Sequence, residues 1–340
     1  MTSNHTDNHP SETRFYRRHP FAEVASLDEA LVVFAAKSIT AIDGDGVTRF
    51  ATALRDQLGA DKYVSASNLA ETMALPVGQV SIVLDRFTEA GLLTASQDAY
   101  PPAVIIAALR AGRQVTDDVS NQRLTTTTIA LVSRPGSALA DTIRLAITAQ
   151  GMKVQAFDSV PEAQGDLLVV VANSYLDPML FQANTRSLAE NTPLLPVIAF
   201  DAETAWVGPY CIPHQSACVK CFQLRRSANF SDDVFRPELL RIRPIDDPAP
   251  DFGPNPVHYI QAGIVANFLL ESVALRNHGP STMPGGLTTI TINDAGLDVQ
   301  TRRVFRVPRC PDCSPVADTG FPQVWFHGEP IEVPTQGTIR

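Results

Sequence analysis

Four of the five cysteines fall in two Cys-x-x-Cys pairs, Cys218 with Cys221 in "SACVKCFQL" and Cys310 with Cys313 in "VPRCPDCSP". Such a pair lets two thiolates approach one ion from a single tight turn. Two pairs complete a tetrahedral shell of four sulfurs, the coordination zinc prefers. The other uses of this spacing are a pair of redox dithiols or unconnected core cysteines. An odd cysteine count in a long chain argues against a disulfide framework. A closed four-sulfur shell leaves no position for water, so the expected ion is structural Zn2+, stapling two distant parts of one domain. Cys211, in "VGPYCIPHQ", reads as a buried apolar side chain, the alternative being a fifth thiol near the metal.

Other residues with chemical potential are thinner in context. Dinucleotide and ATP folds place a glycine-rich loop between the first strand and its helix, because only glycine lets backbone amides approach phosphates closely. The corresponding junction here is "ALVSRPGSALAD", with Gly136 alone and Pro135, which has no amide donor, beside it. ATP is therefore not expected on this chain. Asn173 and Asp177, at the end of "DLLVVVANSYLDP", read as loop caps rather than as ligands of a metal or a ribose. His214 reads as a surface histidine or an outer partner of the metal site. No Ser-His-Asp or Cys-His set can be assembled, and no catalytic residue is assigned.

These residues must be positioned by a chain of 340 residues, 44% hydrophobic and 19% charged, with a net charge of -9. That length suggests two domains. The acidic balance disfavours broad binding to nucleic acid or an anionic membrane. No run of 18 apolar residues occurs and the first thirty residues lack a secretory core, so the expectation is a cytoplasmic protein.

Residues 1–19 are expected to be a disordered lead-in. "FAEVAS" and "EALVVFAAKSITAIDG" read as two or three strands. Val47, Phe50, Leu54 and Leu58 recur at helical spacing, and "SASNLAETMAL" begins with serines suited to capping a second helix. A third starts near Pro76, carries Val77, Val80, Val83, Leu84 and Phe87, and stops at Gly91 before the strand "LLTAS". This order is that of a winged helix-turn-helix domain over residues 20–97. Its third helix, "PVGQVSIVLDRFTEAG", carries one arginine and two acids, a poor reader of DNA. Residues 98–127 read as a linker with a short helix. From 128 to 325, alternating strands and helices imply an α/β domain with a parallel sheet covered on both faces. "VHYIQAGIVANFLLESVALR" reads as a buried helix and "LTTITINDAGLDVQTRRVFRV" as a β-hairpin leading into Cys310. Residues 326–340 form a tail.

In combination, these features resemble the ThiF/MoeB-like proteins of the ubiquitin-activating-enzyme superfamily that partner YcaO cyclodehydratases in making azoline-containing peptides. The most specific match is "GPYCIPHQSACVKCFQLRR", with Gly208, Pro209, the cysteine pair and Arg225. The resemblance implies that the winged helix is a RiPP recognition element, followed by a ThiF-like Rossmann-type domain with a zinc tetrathiolate. It implies a non-catalytic scaffold that binds the leader of a ribosomally made precursor and presents its core to the ATP-using YcaO enzyme, yielding thiazoles or oxazoles. Adenylating members carry the glycine-rich loop, and "SRPGSA" departs from it; adenylation of a peptide carboxylate is the alternative. The leader would add as a strand beside Ser38, Ile39, Thr40, Ala41 and Ile42 and pack on Gln79, Val83, Arg86 and Phe87. A homodimer or a larger complex with the cyclodehydratase is also implied.

Overall fold

The computed structural model describes residues 14–19, 22–27, 30–35, 38–42, 47, 50, 52, 54, 63–96, 98, 100–101, 103–104, 106–107, 115–228, 253–276 and 282–314. Leu58 and the tail 326–340 lie outside the described residues.

The N-terminal part holds two small sheets. β1 (Phe15–Arg18) lies between β5 (Val64–Ser65) and β6 (Leu93–Ser96), antiparallel to both. β1 corrects the expectation of a disordered lead-in over residues 15–18, and residues 1–13 lie outside the described residues. Two arginines disguise it: Tyr16 and Arg17 are both buried, Arg17 lying over the Tyr63 ring and Tyr16 Oη donating to Asp85. β2 (Glu23–Leu27), β3 (Ala30–Ala35) and β4 (Ser38–Ile42) form an antiparallel meander. Val47, Phe50 and Leu54 are helical, as their spacing predicts.

α1 (Ala66–Met73) starts at Ser65, whose hydroxyl accepts from Asn68 N, and α2 (Val77–Glu89) follows after a tight turn. On α2 the 3.6-residue period buries Val80, Leu84 and Phe87 in one cluster with Tyr16, Leu31, Val33, Phe50 and Leu54. Gly91, at φ 81°, lets the chain turn back into β6.

The stretch expected as a linker is partly core. Ala103, Val104, Ala107, Val115 and Leu124 join the apolar cluster of the following domain. α3 (Asp117–Thr126) is tied there by Arg123 Nη1, which donates to Ala274 O at 2.8 Å. Its sequence, "DDVSNQRLTT", is almost wholly polar and so passes for a connection.

The C-terminal sheet has seven strands in the order β13-β12-β11-β10-β9-β7-β8. β7 (Thr128–Val132), β8 (Lys153–Phe157), β9 (Leu167–Ala172) and β10 (Leu194–Ile198) are parallel. β11 (Thr204–Val207), β12 (Gly286–Asn293) and β13 (Gly296–Arg303) continue it antiparallel, so the sheet is mixed rather than parallel throughout. β11 is four residues long, too short an apolar run to announce a strand.

Alternate residues of the buried strands feed opposite layers. Ile129, Leu131, Val169 and Val171 pack with α4 (Ala138–Ala149) and α7 (Pro256–Leu270). Ala130, Val132, Leu168 and Val170 pack with α5 (Pro178–Glu190) and α6 (Val219–Ser227). α7 is the expected buried helix, extended by a π turn over Glu271–Leu275. Its Gln261 is fully buried because Nε2 donates to Ile198 O and Trp206 O, where β10 and β11 part. Among the described residues, no helix is long and apolar enough to cross a membrane.

Candidate functional site

Cys218 is the N-cap residue of α6 and Cys221 lies in its first turn, while Cys310 and Cys313 lie on the turns that follow β13. All four are buried, and their sulfurs lie within 4.8 Å of one another. The Cys218–Cys221, Cys218–Cys310 and Cys221–Cys313 separations are 3.8, 3.7 and 3.5 Å. A tetrahedral ion with Zn–S bonds of about 2.3 Å requires sulfurs about 3.8 Å apart, so the donor set and its spacing fit zinc. Contact with the Cys218 thiol lowers Cys221 to about 4, and burial raises Cys313 to about 11. Four sulfurs this close cannot all be thiolates without a cation between them.

The surroundings hold the two turns together. Val307 N donates to Cys221 Sγ at 3.3 Å. Asn184, on α5 and 1% exposed, accepts from Val219 N at 2.9 Å and donates to Asp312 at 2.8 Å, bridging one cysteine pair to the other. Arg225 donates to the carbonyls of Phe305 and Arg306, while Arg306 donates to His214 O and Cys313 O. His214 is exposed, and its backbone carbonyl accepts from Arg306. Gly208 lies so close to β12 that a Cβ there would run into the Gly286 carbonyl oxygen. Cys211 stands apart from the four sulfurs: its Sγ donates to Pro209 O, and burial pushes its thiol up. Spacing alone exposed the four cysteines; the roles of Asn184, Asp312 and Arg306 depend on tertiary contacts that carry no local signal.

A second feature lies at the C-terminal ends of the parallel strands. β7 and β9 are neighbours whose following connections leave in opposite directions, the switch point where α/β sheets commonly bind ligands. Arg134, from "SRPGSA", pairs there with the buried Asp177 at 3.2 Å. Asp177 also caps α5 by accepting from Met179 N. The capping role expected of Asp177 is therefore present, with Arg134 an unforeseen partner. Nearby, Arg226 lies over the rings of Tyr175 and Trp206, 4.1 and 4.8 Å from their centroids.

The residues expected to receive a peptide fall on two elements. Ser38, Ile39, Thr40, Ala41 and Ile42 form β4, which pairs with β3 and, among the described residues, has no second neighbour. Ile39 is 71% exposed. On α2, Gln79 and Arg86 are exposed and Val83 is half-buried. Phe87 is corrected: it is fully buried, its ring edge-on to Phe50 at 5.6 Å, and offers no surface to a peptide.

The fold and site thus define a mixed α/β protein with a buried four-cysteine cluster. Solved structures with this fold include a heterocyclase in complex with substrate and cofactor, at a TM-score of 0.62 and 18% identity over 89% of this chain and 40% of that one. The heterocyclase TruD matches at a TM-score of 0.61 and 19% identity, over 88% of this chain and 43% of TruD. E. coli MccB with MccA-N7isoASN matches at 0.52 and 11%, over 88% of this chain and all of MccB. At these identities the likeness is one of fold, and the chain spans about two fifths of the length of the two heterocyclases. No protein-family model matches the sequence, and no curated protein matches it significantly.

Proposed function

We propose that the protein is a leader-peptide-binding scaffold for ribosomally made, azoline-containing peptides, holding a precursor for a YcaO-type cyclodehydratase. The observation that carries this reading is the edge of β4, which among the described residues pairs with no second strand, taken with the exposed Gln79 and Arg86 of α2. Backbone groups on that edge can accept an added strand, while Ile39, Gln79, Val83 and Arg86 offer side-chain contacts. In this reading the N-terminal part is a winged helix-turn-helix recognition element. The fold shared with heterocyclases and with MccB, solved in complex with MccA-N7isoASN, supports a role on a peptide substrate.

Cys218, Cys221, Cys310 and Cys313 would hold a structural zinc. The ion supplies cross-linking only, because four sulfurs fill its tetrahedron. The Arg134–Asp177 pair stands where a phosphate loop would run and supports a scaffold rather than an adenylating enzyme. Binding the precursor raises the local concentration of its reacting side chains at the partner enzyme.

The test is calorimetric titration of precursor leader peptide, and separately of ATP with magnesium, into the zinc-loaded protein. Leader binding that is weakened at least tenfold by Ile39→Glu, with no heat from ATP, is the expected result. Micromolar ATP binding would make the chain an activating enzyme. Leader affinity indifferent to Ile39→Glu would move the peptide site off β4.

A further inference from the structure

The far edge of the large sheet carries a second open strand. All eight residues of β13 are exposed, and among the described residues β13 pairs only with β12. Leu297 and Val299 are 54% and 47% exposed, and Ile292, opposite Leu297 on β12, is exposed beside them. An open edge of this length with apolar side chains is a template for another strand.

The ladder with β12 sets the hydrogen-bonding phase of that edge. Val304 N donates to Gly285 O, toward the β12 side, and Gln300 O lies within reach of the Thr289 hydroxyl. Even-numbered residues of β13 therefore direct their backbone groups inward, and Leu297, Val299, Thr301 and Arg303 direct theirs outward.

The side-chain sequence of this edge complements itself. About a two-fold axis through Gln300, an antiparallel second copy sets Asp298 opposite Arg302 and Arg302 opposite Asp298. All four outward residues then pair, Leu297 with Arg303 and Val299 with Thr301. Val299 meets its counterpart diagonally across the axis. Within one chain, Gln300 already donates to Asp298 and accepts from Arg302, which aligns this polar row.

We propose that β13 is a self-association edge: two copies of this chain join β13 to β13, extending one seven-stranded sheet into the other. The occupant is a second copy rather than an unrelated strand because both charges of the row find opposite charges under the two-fold. The inference is independent of the peptide-binding reading.

The experiment is sedimentation of the full chain across the micromolar range, with circular dichroism to confirm folding. The wild type is expected to dimerise. Asp298→Arg places Arg opposite Arg twice, and Arg302→Asp places Asp opposite Asp twice, so each is expected to weaken the dimer roughly tenfold or more. The double variant Asp298→Arg/Arg302→Asp should regain it, and an equimolar mixture of the two single variants should form a heterodimer. Both positions are exposed in the monomer, so the variants fold. A monomeric wild type, a dimer unmoved by Asp298→Arg, or failure of the two single variants to pair would overturn the proposal.

Discussion

Replacing Asn184 by alanine tests whether the two cysteine turns are braced by α5. The amide takes the Val219 N–H on one side and gives a hydrogen bond to Asp312 on the other, at 2.9 and 2.8 Å. Alanine leaves the Val219 N–H buried with no acceptor, a loss of about 1–3 kcal/mol. Asp312 is partly solvated, so its lost bond adds well under 1 kcal/mol. The expected total is about 1–4 kcal/mol. At about 2–4 °C per kcal/mol for a domain of this size, thermal denaturation should move down by about 2–16 °C. Zinc release to a chromogenic chelator should also become faster, because the brace spans both pairs. Asn184→Asp keeps the acceptor for Val219 N but sets a carboxylate against Asp312, and should be at least as damaging at neutral pH. If Asn184→Ala melted within 1 °C of the wild type and held its metal equally long, the bracing argument would be wrong.

Three further outcomes are expected. Metal analysis should find one zinc per chain, and Cys310→Ser should lose it and lower the melting temperature by more than Asn184→Ala does. Phe87→Ala should destabilise the N-terminal part by about 3–5 kcal/mol in a denaturant titration, since the ring is fully buried against Phe50. By contrast Ile39→Glu should leave stability within about 0.5 kcal/mol. The third concerns Asp117, whose carboxyl is raised to about 6 by burial and by Asp118. The folded state then binds more protons than the unfolded state between about 4 and 6, so stability should fall as pH rises through that window. A ceiling of about 3 kcal/mol follows from the shift, and partial solvation reduces it to about 1 kcal/mol. Asp117→Asn should flatten the slope, as read from urea midpoints at a series of pH values.

Legibility in the sequence followed the strength of local pattern. α2, α4, α5 and β9 are long or uniformly apolar, and their positions follow from periodicity. The four cysteines were legible because Cys-x-x-Cys is a local geometric statement that needs no knowledge of the fold. β1 was hidden by Arg17 and Arg18, since a cation over Tyr63 and a strand ladder on both sides are long-range facts. A short helix was expected within residues 98–127; what the polar composition of α3 hid is its attachment, which depends on Arg123 reaching Ala274. Of the antiparallel strands, the β12–β13 hairpin was legible in its alternating pattern about "NDAG", while β11 escaped because it is four residues long and pairs with β12, far along the chain. Phe87 was misassigned because one helical stripe carries both core and surface positions; only packing against Phe50 separates them.

The cysteine cluster also changes what a cut in the backbone would mean. With an ion bound, Cys218 and Cys221 on one fragment and Cys310 and Cys313 on the other would be held by four metal–sulfur bonds. A chain cleaved at the exposed turn between β12 and β13 would keep its two fragments joined by the ion as well as by the β12–β13 ladder, and a chelator would leave the ladder and its flanking hydrogen bonds to hold them. Integrity of the molecule over that stretch would be a property of the metal supply and the ladder as much as of the peptide bond.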